Sequence, residues 1–317
     1  MSARDIRTFT SDQGVDVVIV GAGPAGLSAA LNLARALVNV VIVDARRPRN
    51  AATLRSHGFL TRDGISPVEL RTLARQELHA YPQVHYRNNS TVTDIREAGS
   101  GFDVDIITRP TEAPDVVHTR RVLITTGLSE TLPNVPHLRS FYGMSIFSCV
   151  ACDAWDLRGK RLALIGETPD LARRALHLSR WSPSLTVMTN GLPTMSRDEE
   201  GALAARGIRV ERSEIRDLVG AHGVIERVVL ADGRSVPLDG GFVRPVWRAN
   251  RELLGKIRPD DSPEGFLVTD DGGRTSVSGL YAAGDIVVPG PQQMIIAAGS
   301  GARVAASIVN DLQALHG

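Results

Sequence analysis

The stretch Asp16-Val17-Val18-Ile19-Val20-Gly21-Ala22-Gly23-Pro24-Ala25-Gly26 constrains this chain more than any other. Its β-branched run reads as a buried parallel strand. A glycine turn follows, then a helical segment from Leu27 to Leu37, then a second short strand, Val40 to Val43, ending at Asp44. Strand, glycine turn, helix, strand and acid are the parts of a βαβ dinucleotide-binding unit, in order. Gly21 permits the tight turn, Gly23 lets a pyrophosphate approach the backbone, and Gly26 lets the helix pack on the strand. The helix N-terminus offers free N–H groups to phosphates, and Asp44 can accept from ribose hydroxyls. The alternative for this stretch is a glycine-rich turn in an ordinary βαβ unit.

The next strong feature is Cys149-Val150-Ala151-Cys152-Asp153, which holds both cysteines of the chain. The 317 residues leave room for two domains. No apolar run approaches the ~20 residues of a membrane span, and the N-terminus, with Asp5 and Asp12, lacks the apolar core of a secretory signal. A cytoplasmic protein is expected. There a CxxC pair is redox-active or metal-binding rather than structural. Zinc needs about four ligands, and neither a second CxxC nor an HxxxH is present, so no metal is expected. The formal charge of +1 gives no electrostatic footprint for nucleic acid.

Along the chain, Arg46, Arg47 and Arg49 follow Asp44. They suit a 2′-phosphate, an adenosine or solvent. Residues 56–64 read as a loop, and Pro67 to Tyr81 as a helix opened by proline. Segments 83–97, 102–108 and 116–124 alternate like antiparallel strands, the last feeding Thr125-Thr126-Gly127. Pro133 and Pro136 punctuate a linker. Arg161 to Gly166 is a second strand running into glycine, but Glu167-Thr168-Pro169-Asp170 follows in place of a second GxGxxG. A helix from Leu171 to Trp181 and a strand from Ser184 to Met188 complete a second Rossmann-type unit. A hairpin is expected near Ala221-His222-Gly223. Asp239-Gly240-Gly241 is expected to return the chain to the first unit. Gly279 to Asp285 is a strand followed by Gly-Asp, and a helix runs from about Pro291 to Leu315. Trp155 and Trp247 read as core residues, or as the lining of a small-substrate pocket.

Four elements together resemble the low-molecular-weight thioredoxin reductase family: the early GAGPAG with Asp44, the exit Ile124-Thr125-Thr126-Gly127, the central CxxCD, and TSVSGLYAAGDI from Thr275 to Ile286. The resemblance covers nearly the whole chain. It implies an α/β fold of two Rossmann-like domains, with an FAD domain (1–130 and 241–317) split by a smaller insert (131–240) that carries the dithiol, and a homodimer. It implies FAD contacts at Gly21, Gly23, Pro24, Ala25, Gly26, Asp44, Asn50, Thr126, Gly127, Gly284, Asp285, Gln293 and Met294. Cys152 would face the flavin, Cys149 would exchange with substrate, and Asp153 would be the acid/base. His57 is a second candidate base.

NADPH-using members have a glycine-rich loop in the insert and an arginine cluster after the next strand. Here Glu167 would repel a pyrophosphate, Pro169 removes a donor, and Thr189-Asn190-Gly191-Leu192-Pro193 holds no arginine. Each lost N–H contact to a charged acceptor costs ~1.5–3 kcal/mol. The chain is therefore similar to the branch of dithiol oxidases that close disulfides in natural products such as gliotoxin, holomycin and romidepsin. Arg47-Pro48-Arg49-Asn50 and Ser56-His57-Gly58-Phe59 also resemble that branch, though many of its members carry His where this chain has Asp153. The branch implies a small-molecule dithiol as substrate, with electrons passing through Cys149–Cys152 to FAD and then to molecular oxygen, giving hydrogen peroxide. A CxxC at a helix start lowers one thiol's pKa to between ~3.5 and 7.5, which supplies a thiolate at neutral pH. Two other readings fit the same motifs: a reductase fed by NADPH or ferredoxin, and a non-catalytic flavin-bound redox sensor.

Overall fold

The computed structural model describes residues 14–111, 114–287 and 290–314. Residues 1–13 lie outside those residues, as does Leu315, the expected end of the last helix. The strand Val15–Val20 is buried on both faces. Val18 and Val20 join one core with Val41, Val43, Val122 and Ile124, while Val17 and Ile19 join another with Val40, Ile42 and Leu123. Alternate residues thus serve opposite faces of one sheet.

That sheet has seven strands. Val84–Asn88, Val40–Asp44, Val15–Val20 and Pro114–Ile124 run parallel in that spatial order. The far edge of Pro114–Ile124 is shared: its first half takes Gly101–Thr108 antiparallel, and its end takes Leu280–Ala282 parallel. The expected single strand over 83–97 is corrected. It breaks at Asn89, where φ is +53°, into a parallel strand Val84–Asn88 and an antiparallel strand Ser90–Ala98. Alternation shows that a segment is extended and does not show the direction of its neighbour.

The second sheet has five parallel strands: Arg209–Glu211, Ser184–Met188, Arg161–Gly166, Gly240–Arg244 and Ile146–Phe147. It too separates two apolar cores. The expected return at Asp239-Gly240-Gly241 is therefore corrected, because Gly240–Arg244 is an inner strand of this sheet. Gly241 permits this, since a Cβ there would lie 2.8 Å from the Ala163 carbonyl oxygen. The chain returns one strand later: Val246–Ala249 pairs antiparallel with Leu128–Thr131, so the two crossings between sheets form one ribbon. The hairpin at Ala221 is present, with His222 and Gly223 both at positive φ, as a two-residue turn of this hand requires. No described helix is long and apolar enough to cross a membrane.

Candidate active site

The glycine turn is built by close approach. Gly21 has φ +108°, and a Cβ there would lie 2.5 Å from the Thr125 carbonyl oxygen. Thr125 Oγ1 donates to the carbonyls of Val20 and Gly21 at 3.0 and 2.7 Å. The first helix starts at Pro24, earlier than expected. Gly23 caps it without a side-chain bond, which leaves the first N–H groups to the cavity beside them.

That cavity encloses about 380 Å³. It is lined by Gly21, Gly23, Pro24, Ala25, Asp44, Asn50, Thr126, Gly127, Gly284, Asp285, Gln293 and Met294, and also by His57, Cys149, Cys152 and Asp153. Gly26 alone of the expected set does not line it. Its place is structural, because a Cβ would lie 2.0 Å from the Gly21 carbonyl oxygen. The lining fits a flavin dinucleotide on three counts. A helix start without a side-chain cap faces the cavity, Gly23 has nothing within 4 Å of a would-be Cβ, and the buried Ser56 hydroxyl on the cavity wall has no protein partner. Asp44 already accepts from the Tyr86 hydroxyl and, at 2.7 Å, from the Arg46 amide. Its remaining lone pairs are what a ribose could use.

Cys149 and Cys152 are joined as a disulfide, with Cys149 capping the single helical turn Val150–Asp153. Asp153 is buried at 9% exposure. Burial pushes its carboxyl up to about 7; His57 opposes that rise and Asp156 adds to it. A carboxyl near neutrality is suited to taking and returning a proton. His57 stands between carboxylates, Nε2 3.3 Å from Asp156 and Nδ1 3.5 Å from Asp63.

The glycine-poor loop of the second unit is tied down by side chains from the loop itself, the helix after it and two neighbouring strand ends. Asp170 accepts from Thr168 Oγ1 at 2.6 Å, Arg174 Nε at 2.6 Å and Arg244 Nε at 3.0 Å. Burial works against its ionisation, but these donors hold Asp170 at about 2. Glu167 accepts from Asn190 Nδ2 at 2.8 Å. The Arg244 guanidinium lies over the Trp247 ring, 4.3 Å from its centroid.

Residues 15–301 match the pyridine nucleotide-disulphide oxidoreductase family. The chain belongs to that family. It is a flavin disulfide oxidoreductase of the thioredoxin reductase type, and its cofactor is FAD. Thioredoxin reductase tcpT of Claviceps purpurea is 28% identical over 280 residues, 86% of each chain. The crystal structure of TrxB from Bacillus anthracis is similar at 35% identity and a TM-score of 0.88, covering 95% of this chain and 99% of the other. That of HlmI is similar at 31% identity and a TM-score of 0.89, covering 97% of each.

Glu130, Tyr142 and Asn250 also line this oxidoreductase's cavity and carry no local signal in the sequence. Arg49 reaches Glu130 at 2.9 Å and Asp285 at 2.8 Å, so one arginine left open to three roles is held in ion pairs. Burial opposes its charge, yet Asp285 and Glu130 raise its pKa. Glu130 also accepts from Tyr142 and from Trp247 Nε1. Thr126 and Asn250 exchange bonds, Oγ1 to the Asn250 carbonyl at 2.7 Å and Nδ2 to the Thr126 carbonyl at 3.1 Å. Trp155 is not a core residue, being 66% exposed with Arg158 stacked on it, whereas Trp247 packs half-buried against the first core beside Arg244 and Glu130; neither lines the cavity.

Proposed function

We propose that this flavin disulfide oxidoreductase closes an intramolecular disulfide in a small-molecule dithiol, with molecular oxygen as final acceptor and hydrogen peroxide as product. The observation that carries the reading is the second nucleotide loop, where Asp170, clamped by Arg174 and Arg244, stands where a pyridine nucleotide needs bare backbone donors. A reductant that reaches the dithiol directly needs no such loop.

Asp153 takes the proton of the first substrate thiol, a role its raised pKa suits. The thiolate attacks Cys149 Sγ, the Cys149–Cys152 bond breaks, and Cys152 leaves as thiolate. The second substrate thiol, once deprotonated, attacks the substrate sulfur of the mixed disulfide, and Cys149 leaves. Substrate has then lost two electrons and two protons, and the enzyme holds a dithiol. FAD, held by the glycine turn, Asp44, Asn50, Thr126, Gly127, Asp285 and the helix start at Gln293–Met294, supplies the two-electron acceptor that restores the disulfide. The protein acts in the cytoplasm as a homodimer.

The test is anaerobic mixing of the oxidised holoenzyme with NADPH and, separately, with dithiothreitol. Bleaching of the flavin band by the dithiol alone, with one peroxide per disulfide once air is admitted, is the expected result. Rapid bleaching by NADPH would overturn it.

A further inference from the structure

His57 approaches the dithiol on a loop that closes on itself. The Ser56 amide donates to the Ile65 carbonyl, and the Gly64 amide donates to the Ser56 carbonyl, each at 2.8 Å. The Gly58 amide donates to Asp63 Oδ1 at 2.8 Å, and that same oxygen faces His57 Nδ1. On the other edge of the ring, Nε2 faces Asp156 Oδ2. Asp156 lies one turn beyond Asp153, its amide donating to the Asp153 carbonyl at 3.2 Å. One imidazole therefore joins a loop of the first sheet's unit to the turn that carries the dithiol. Carboxylates accept only, so a ring bonded to both has an N–H on each nitrogen and a fixed plane, and it can take a further proton only after giving one of these up. Both carboxylates are more than half exposed, so these pairs add little to stability. Their consequence is orientation.

A dithiol gives up two protons, whereas Asp153 can hold one. Asp153 can serve the second thiol only after passing the first proton on, to the leaving Cys152 thiolate or to another base on the cavity. His57 lines the same cavity, and its charge is felt at Asp153.

We propose that Asp156 is a positioning residue for thiol–disulfide exchange: with Asp63 it holds His57 on the cavity that Asp153 lines, and His57 gives one ring proton to solvent past these exposed carboxylates, then takes the proton that Asp153 removed from the first thiol. This rests on the reading that a thiol attacks Cys149. In that step the S–H bond breaks toward Asp153, a sulfur–sulfur bond forms at Cys149, and the Cys149–Cys152 bond breaks with its electron pair on Cys152. The titratable groups at the ring nitrogens are Asp63 and Asp156, and Asp153 lines the same cavity.

The test uses Asp156→Asn and Asp156→Glu holoenzymes, mixed anaerobically with dithiothreitol across the neutral range. N-ethylmaleimide quenching and mass spectrometry then give the rate of disulfide reduction. Asp156→Asn is expected to slow reduction about tenfold at neutral pH. It should leave KM for the dithiol within about twofold, and move the acid limb of the profile to lower pH, since the Asp156 charge raises Asp153. Asp156→Glu should restore most of the rate, and both variants should melt within about 2 °C of the parent. A wild-type rate and pH profile in Asp156→Asn would overturn the proposal, as would a pH-independent loss that tracks a fall in melting temperature. Should the parent make no peroxide while Asp156→Asn still slows exchange, the oxidase reading fails and the relay stands.

Discussion

The Tyr142 hydroxyl donates to Glu130 Oε2 at 2.6 Å. The same hydroxyl reaches Ser148 Oγ at 2.9 Å, next in sequence to Cys149. Burial and the Glu130 carboxylate raise the Tyr142 phenol, so it stays a donor across the working range. Through Arg49 the contact continues to Asp285, which joins the dithiol turn to the cavity floor. Glu130→Ala strips Arg49, Tyr142 and Trp247 of one shared acceptor. Arg49 keeps Asp285, so the expected cost is about 3 kcal/mol, the low end for breaking a buried pair. Urea unfolding measures it, and Glu130→Gln should lose less than half as much.

Asp153 makes stability depend on pH in an unusual sense. Burial raises its carboxyl from 3.8 to about 7, so between those values the folded chain holds a proton that the unfolded chain has released. Stability falls as pH rises through that window. Asp153→Asn removes the buried charge. Its melting temperature should exceed the parent's at pH 8 and match it near pH 4, with an upper bound of ~4 kcal/mol for the gain. Turnover should fall about a hundredfold or more at neutral pH.

Gly23 and Gly26 separate binding from folding. A Cβ at Gly23 meets nothing within 4 Å, whereas one at Gly26 meets the Gly21 carbonyl oxygen at 2.0 Å. Gly23→Ala should keep the parent's fold by circular dichroism and purify with little FAD, read as the ratio of visible to 280 nm absorbance. Gly26→Ala should lose both flavin and thermal stability.

Asp170→Asn should destabilise the second unit at neutral pH. Its carboxyl is held at about 2, chiefly against burial, by Thr168, Arg174 and Arg244. The stability it adds is present above about 4 and is lost as pH falls toward 2. After screening by solvent, ~1 kcal/mol is expected. The gap between variant and parent in urea midpoint should therefore shrink on going from pH 7 to pH 3.

The nucleotide turn was legible because its strand, glycines and helix are neighbours in sequence, and each residue type answers a local backbone demand. The dithiol was legible for the same reason. Glu130 and Asp156 were not, because their partners Arg49 and His57 lie 81 and 99 positions away and meet them only after two sheets have formed. Gly240–Arg244 was misread because paired glycines mark a turn as readily as a strand under close packing. Trp155 was misread because an indole suggests a core, while this one is largely exposed with an arginine stacked on it.

The trio at the second loop has a consequence for descent. With Asp170 replaced by glycine alone, Arg174 and Arg244 would repel each other with no counter-ion between them. Under the proposed function, a path to nicotinamide use would first cross a less stable protein, and only later changes at the two arginines would repair it. One substitution at a time meets a ratchet there, since opening the loop to a nucleotide first leaves two arginines without their shared carboxylate.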